Sequence, residues 1–180
     1  MKHSAVAMLL LALAPVSIAQ VKEMPSVTAN PIVTTVRQME SRFAKNLTGA
    51  ADEMPADKYT YRPTPEQITF GHLIMHSAEA NNSFCAAIAG EKAPSVKLNE
   101  NDSKDVLTKA LKDSFAYCEQ VLAKADDSNL SQTVTLYEGQ TGTRGSALIR
   151  LVAGWSDHYS AAAMYLRLNN LLPPSAAKLK

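Results

Sequence analysis

Between Thr143 and Pro173, the residues Leu148, Leu151, Trp155, His158, Ala162 and Tyr165 recur in alternating steps of three and four. That spacing lays them along one seam of an α-helix, the a/d pattern by which helices pack in bundles. A half-buried strand would need alternation at every second residue, and the segment has none. Such a helix cannot bury its seam alone, so the rest of the chain must supply partners.

It supplies three. Val33, Val36, Met39, Phe43 and Leu47 form a stripe that starts at Pro31 and stops at Gly49. Thr64-Pro65-Glu66-Gln67 combines a capping hydroxyl, a proline at the first helical position and a glutamine three residues after the cap. It predicts a second helix from there to Ala89, with Gly90 as its stop, ~36 Å long at 1.5 Å per residue. The third starts near Ser103, carries Leu107, Leu111, Cys118, Val121 and Leu122 inward, and ends at Asp126-Asp127. The fourth should continue until Pro173-Pro174 forbid it. Met54 to Pro63, with its prolines, reads as an extended loop. Residues 128–142 contain Thr133-Val134-Thr135-Leu136-Tyr137, strand-like in composition but without a partner segment elsewhere, and read as a loop. The expected fold class is all-α, a four-helix bundle spanning residues 31–175.

Ahead of the bundle, Lys2-His3, an apolar run from Ala5 to Ala14 and Ser17-Ile18-Ala19 have the layout of a secretory signal peptide over residues 1–19. The run is short of the ~20 apolar residues a spanning helix needs. Residues 20–30 read as a flexible lead. The expected location is secreted or periplasmic, with no membrane anchor after cleavage. Against 17 acidic residues the chain has 18 basic ones, Lys2 among them, so the mature net charge is near zero. No basic field is present to attract nucleic acid. In an exported protein Cys85 and Cys118 suit one disulfide, the alternative being two buried thiols packing as small hydrophobes.

All histidines of the mature chain lie at His72, His76 and His158. On the second helix His76 falls at the flank of the apolar stripe centred on Leu73, Phe84 and Ile88, while His72 falls further toward the polar side. Imidazole suits zinc, nickel, copper and iron, and a catalytic zinc usually takes three protein ligands. His76 and His158 are candidates from the helix pattern. The alternative is a pair of core histidines satisfied by hydroxyls and amides. Glu79, Asp157 and Tyr159 are available as oxygen ligands or as partners that orient the rings. The chain has no phosphate-cradling glycine loop, no Cys-x-x-Cys pair and no nucleophile elbow.

Taken together, Pro63-Thr64-Pro65, Phe70-Gly71, His76-Ser77-Ala78-Glu79-Ala80-Asn81, Ser114-Phe115-Ala116-Tyr117-Cys118, Asp157-His158-Tyr159 and Tyr165-Leu166-Arg167-Leu168-Asn169 with Pro173-Pro174 resemble the DinB-like (DNA-damage-inducible) helical family. The resemblance covers most of residues 31–175. It implies a four-helix bundle with a long crossover between helices two and three, often a homodimer, and a divalent metal, often nickel or zinc, held by three histidines. One ligand comes from helix two and two from a His-x-x-x-His pair at helix four. His76 matches the first and His158 the last, but the middle ligand falls at Gly154, which has no side chain. Ser160 stands where glycine commonly follows His-Tyr. His72, four residues before His76, is the substitute third ligand to test.

Two functions follow. The wider family includes transferases acting with low-molecular-weight thiols and suspected metal-dependent hydrolases. Export disfavours a reduced thiol cofactor, which leaves hydrolysis of an unknown small-molecule substrate. The other reading is a non-catalytic envelope binding or structural domain with a degraded metal site.

Overall fold

The computed structural model describes residues 29–136 and 139–177. The expected signal peptide and most of the expected lead lie outside them. Four helices make the domain: α1 (Pro31–Glu53), α2 (Phe70–Ala89), α3 (Lys104–Lys124) and α4 (Arg144–Leu168), with a short antiparallel hairpin of β1 (Thr133–Thr135) and β2 (Thr141–Thr143) before α4. Each helix packs on two neighbours, in the ring order α1, α3, α2, α4.

Side-chain pairs give the directions. Gly71 lies against Leu107, Asn81 bonds Ser114, and Cys85 is joined to Cys118, so α2 and α3 run parallel. His76 meets His158 and Ile68 meets Tyr165, so α2 and α4 are antiparallel. Arg37 reaches the end of α3, and Lys104 at its start reaches the end of α1, so those two are antiparallel as well. The bundle is therefore up-down-down-up. Two parallel neighbours cannot be joined by a tight turn, and residues 90–103 form the long crossover that returns the chain to the start of α3.

Helix ends are closed across the bundle as much as locally. Asn30 precedes α1 without a side-chain cap, and the Asp127 carboxylate accepts from the backbone N–H groups of Ile32 and Val33, both at 2.9 Å. Arg37 donates to the carbonyls of Leu122 and Ala123 at 2.7 Å each. Lys104 Nζ donates to those of Asp52 and Met54 at 2.6 and 2.9 Å. Placing cations at helix C-termini and a carboxylate at an N-terminus satisfies orphan backbone groups and suits the helix dipole.

Four features differ from the sequence expectation. The capping pattern at Thr64-Pro65 closes a turn, with Gln67 N–H on the Thr64 carbonyl at 3.1 Å. α2 instead begins at Phe70, because Thr69 caps it and the Tyr61 and Tyr59 carbonyls take the N–H groups of Phe70 and Gly71 at 3.0 and 2.7 Å. Gly71 is required there, since a Cβ would come to 2.6 Å from the Glu100 carbonyl oxygen. The segment expected as a loop over 128–142 holds nearly all of the hairpin, whose second strand is only a few residues from the first, and Val134 and Leu136 there are buried. α4 stops at Leu168, before the prolines, because Asn170 adopts φ 59°. Finally, α1 runs a turn past Gly49, to Glu53.

The core is continuous from Val33 and Phe43 on α1, through Phe70 and Ile74 on α2 and Leu111 and Phe115 on α3, to Trp155 and Leu166 on α4. Cys85 and Cys118, fully buried, form the disulfide with Cα atoms 5.3 Å apart. Among the described residues no helix is long and apolar enough to cross a membrane.

Candidate functional site

Where α2 and α4 pass each other antiparallel, His76, Ala80 and Phe84 on one face two successive turns of the other, Gly154, Trp155 and His158. Fourfold spacing on α2 keeps its three side chains on one stripe. The helices do not close over this stretch. A cavity of ≈380 Å³ lies between them, within the range that holds small organic ligands.

Gly154 keeps it open. A Cβ built there would meet only the His158 ring, at 3.7 Å from Cε1, so a larger side chain would enter the cavity. The back wall is held by Asn81, which is buried on the inner side of α2. Its Oδ1 accepts from Trp155 Nε1 at 2.7 Å, its Nδ2 donates to Ser114 Oγ at 3.0 Å, and Ser114 Oγ donates to the Leu111 carbonyl at 2.8 Å. One turn further along both helices the disulfide repeats the α2–α3 link. A buried indole N–H without its acceptor would cost about 1–3 kcal/mol, so Asn81 determines how the ring forms the wall.

The His76 and His158 rings lie 5.0 Å apart between centroids at an interplanar angle of 74°. Burial, then the neighbouring His76, push His158 down to about 4, with Asp157 opposing. His158 is therefore neutral at physiological pH, with one ring nitrogen free to accept a hydrogen bond. Glu79, Asp157 and Arg150 stand at the exposed rim, and Arg150 Nη1 donates to Gln140 Oε1 at 3.4 Å.

His72 lies one turn nearer the start of α2 and does not line the cavity. Its Nδ1 is 3.0 Å from Glu100 Oε2, which ties the crossover to α2. The structure thus brings together His76 and His158 and leaves His72 on a separate contact. Among the described residues no three of His, Cys, Asp and Glu converge as a metal-binding group. A three-histidine centre does not fit these residues: two imidazoles face each other, and the third donor position is a glycine. Asn81 escaped the sequence reading as a site residue. Its signal was a primary amide placed among the inward positions of a helix, where a partner must exist.

An up-down-down-up bundle with a cavity and a histidine pair between its second and fourth helices defines a class of small helical proteins with a site between helices. The chain belongs to the DinB superfamily, whose family model matches residues 41–158. Among curated proteins, none matches the sequence. Solved structures share the fold at low identity. A DinB-like protein from Bacillus cereus ATCC 10987 is 12% identical with a TM-score of 0.65, over 78% of this chain and 95% of its own. Another from Bacillus subtilis is 17% identical at 0.58, over 74% and 92%. A mycothiol-dependent maleylpyruvate isomerase is 15% identical at 0.57, over 71% of this chain and 59% of the enzyme.

Proposed function

We propose that this chain is an exported DinB-superfamily domain that binds a small organic molecule in the α2–α4 cavity, without a resident three-histidine metal. The observation that carries this reading is the cavity: ≈380 Å³ of space opened by Gly154 and walled by Phe84, Leu151 and Trp155, with the two imidazoles at its polar end. Apolar walls with a few convergent polar groups are the usual make-up of a small-molecule site. An aromatic or aliphatic body would pack on Phe84 and Trp155, and an N–H or O–H group would donate to a neutral His158. Export rests on the sequence pattern of residues 1–19, and the buried disulfide supports it, since such bonds persist outside the reducing cytosol.

A second reading, binding of nickel or zinc by His76 and His158 in a metal-dependent hydrolase, is favoured by the 5.0 Å approach of the two rings. The missing third protein donor weighs against it. Homodimerisation, expected from the resemblance, is compatible with either.

Trp155 is the sole tryptophan of the chain and lines the cavity, so its fluorescence reports occupancy directly. Phenol, benzamide and benzoate titrated into the untagged protein in the presence of chelator should change that emission saturably for at least one probe. Gly154→Leu, which fills the cavity, should remove the response while the protein stays folded. No saturable response from any probe, or one that survives Gly154→Leu, would count against the cavity as the binding site.

A further inference from the structure

Beyond that cavity α4 opens with Arg144, about 21 Å of helix from His158 at 1.5 Å per residue. Its guanidinium lies over the turn that ends α2: a Cβ built on Gly90 would stand 3.8 Å from Nη2. Nε is buried and has no hydrogen-bond partner among the described residues. No carboxylate among the described residues is in ion-pair range of the side chain, the ion pairs there being His72 with Glu100, Lys109 with Asp113 and Lys112 with Asp52.

A guanidinium is always charged and has five donors in a planar fork, and burying part of it unpaired is costly. The surrounding backbone is already engaged. The Ala86 and Ala87 carbonyls accept from the N–H groups of Gly90 and Glu91. The N-terminal N–H groups of α4 are also spoken for: Arg144 donates to the Gln132 carbonyl, Gly145 to that of Leu130 and Ser146 to Thr143 Oγ1. The helix start is thus closed, and the buried donor left without a partner among the described residues is the side chain's Nε.

Two cavities flank it. One of ≈230 Å³ is lined by Glu91, Tyr117, Gln120 and Lys124, the other of ≈340 Å³ by Gln132 and Thr133, with Arg144 in both. Glu91 reaches both as well, but its carboxylate already accepts from Tyr117 Oη at 2.8 Å. Two cations and one carboxylate therefore line the first cavity and leave it a net positive charge, with the Gln120 amide able to donate alongside.

We propose that Arg144 and Lys124 form a binding site for a small oxyanion, a phosphate, sulfate or carboxylate group, seated in the ≈230 Å³ cavity between the last turns of α2 and α3 and the start of α4. The guanidinium fork suits two oxygens of such a group, and Lys124 adds a point charge. Gln120, which lines the same cavity, completes the donor set.

The test is calorimetric titration of the untagged full chain with potassium phosphate, sodium sulfate and sodium succinate at constant ionic strength, against sodium chloride. Saturable heat is expected for at least one of them. Arg144→Gln should abolish it, Lys124→Gln should weaken it roughly tenfold, and Lys97→Gln, an exposed lysine elsewhere, should leave it unchanged. A response to phosphate or sulfate points to a free inorganic anion, and one to succinate alone to the carboxylate of an organic acid. Absence of saturable heat, or equal heat in wild type and Arg144→Gln, would overturn the proposal, because general exclusion of anions from the surface acts on both alike. Should Arg144→Gln fail to fold by circular dichroism, Lys124→Gln decides, and an affinity unchanged in it overturns the site.

Discussion

Replacing Glu40 by Gln should stabilise the protein above neutral pH and leave it unchanged in acid. Glu40 sits between α1 and α3 beside Phe115 and Glu119, 7% exposed, and makes no hydrogen bond or ion pair among the described residues. Burial, with the Glu119 charge second, pushes its carboxyl from 4.5 up to about 7. Between those two values the folded protein holds a proton that the unfolded chain has released. Stability therefore falls as pH rises through that window, and the full cost persists above it. At 1.36 kcal/mol per pH unit the gap corresponds to about 3 kcal/mol. Gln copies the shape of the protonated acid without its ionisation, so the variant avoids that cost. Urea unfolding followed by Trp155 emission should show the two proteins alike at about pH 3, below both values, and the variant ahead by about 3 kcal/mol at pH 8, roughly 6–12 °C in Tm for a domain of this size. A difference that does not change with pH, or a variant less stable at pH 8, would refute the reasoning, since it would mean the carboxylate has a favourable partner.

Other substitutions probe the same account from different sides. Cys85→Ala with Cys118→Ala removes a bridge of sequence separation 33, and the chain-entropy relation gives a loss of about 4 kcal/mol; denaturant unfolding with and without reductant measures it, and indifference of the wild type to reductant would contradict a formed bond. Asn81→Ala orphans Trp155 Nε1 and should cost about 1–3 kcal/mol while altering Trp155 emission; an unchanged spectrum would mean the indole is positioned by packing alone. Gly154→His places a third imidazole one turn before His158 in space that a Cβ can enter, and should raise zinc or nickel uptake to near one ion per chain by equilibrium dialysis; no gain would show that the two existing rings are not aligned for a shared ion.

The helical seams were legible because burial acts on every third and fourth residue, so Leu148, Leu151, Trp155 and Tyr165 announced a buried face that the structure contains. The pairing of His76 with His158 and the gap at Gly154 were legible on the same ground, helix phase together with family resemblance. What escaped depends on contacts distant in sequence. The start of α2 is chosen by carbonyls of Tyr59 and Tyr61 folding over Phe70 and Gly71, not by the local capping pattern at Thr64. The N-terminus of α1 is capped by Asp127, more than ninety residues away. Asn81 and Glu40 each look like ordinary polar residues on helices. Only the packing of α4 and α3 against them makes one a brace for the cavity wall and the other a buried acid. His72 likewise shares a helix face with His76, yet the crossover brings Glu100 to it first.

The central claim is that the α2–α4 cavity works as an organic-molecule site and not as a metal centre. Elemental mass spectrometry of the untagged protein, purified without chelator and incubated with zinc and nickel, tests it most directly, with His76→Ala and His158→Ala measured in parallel. The account predicts little metal per chain, at a level the two substitutions do not change. Near-stoichiometric metal in the wild type, lost in both variants, would contradict it and restore the metal-dependent reading.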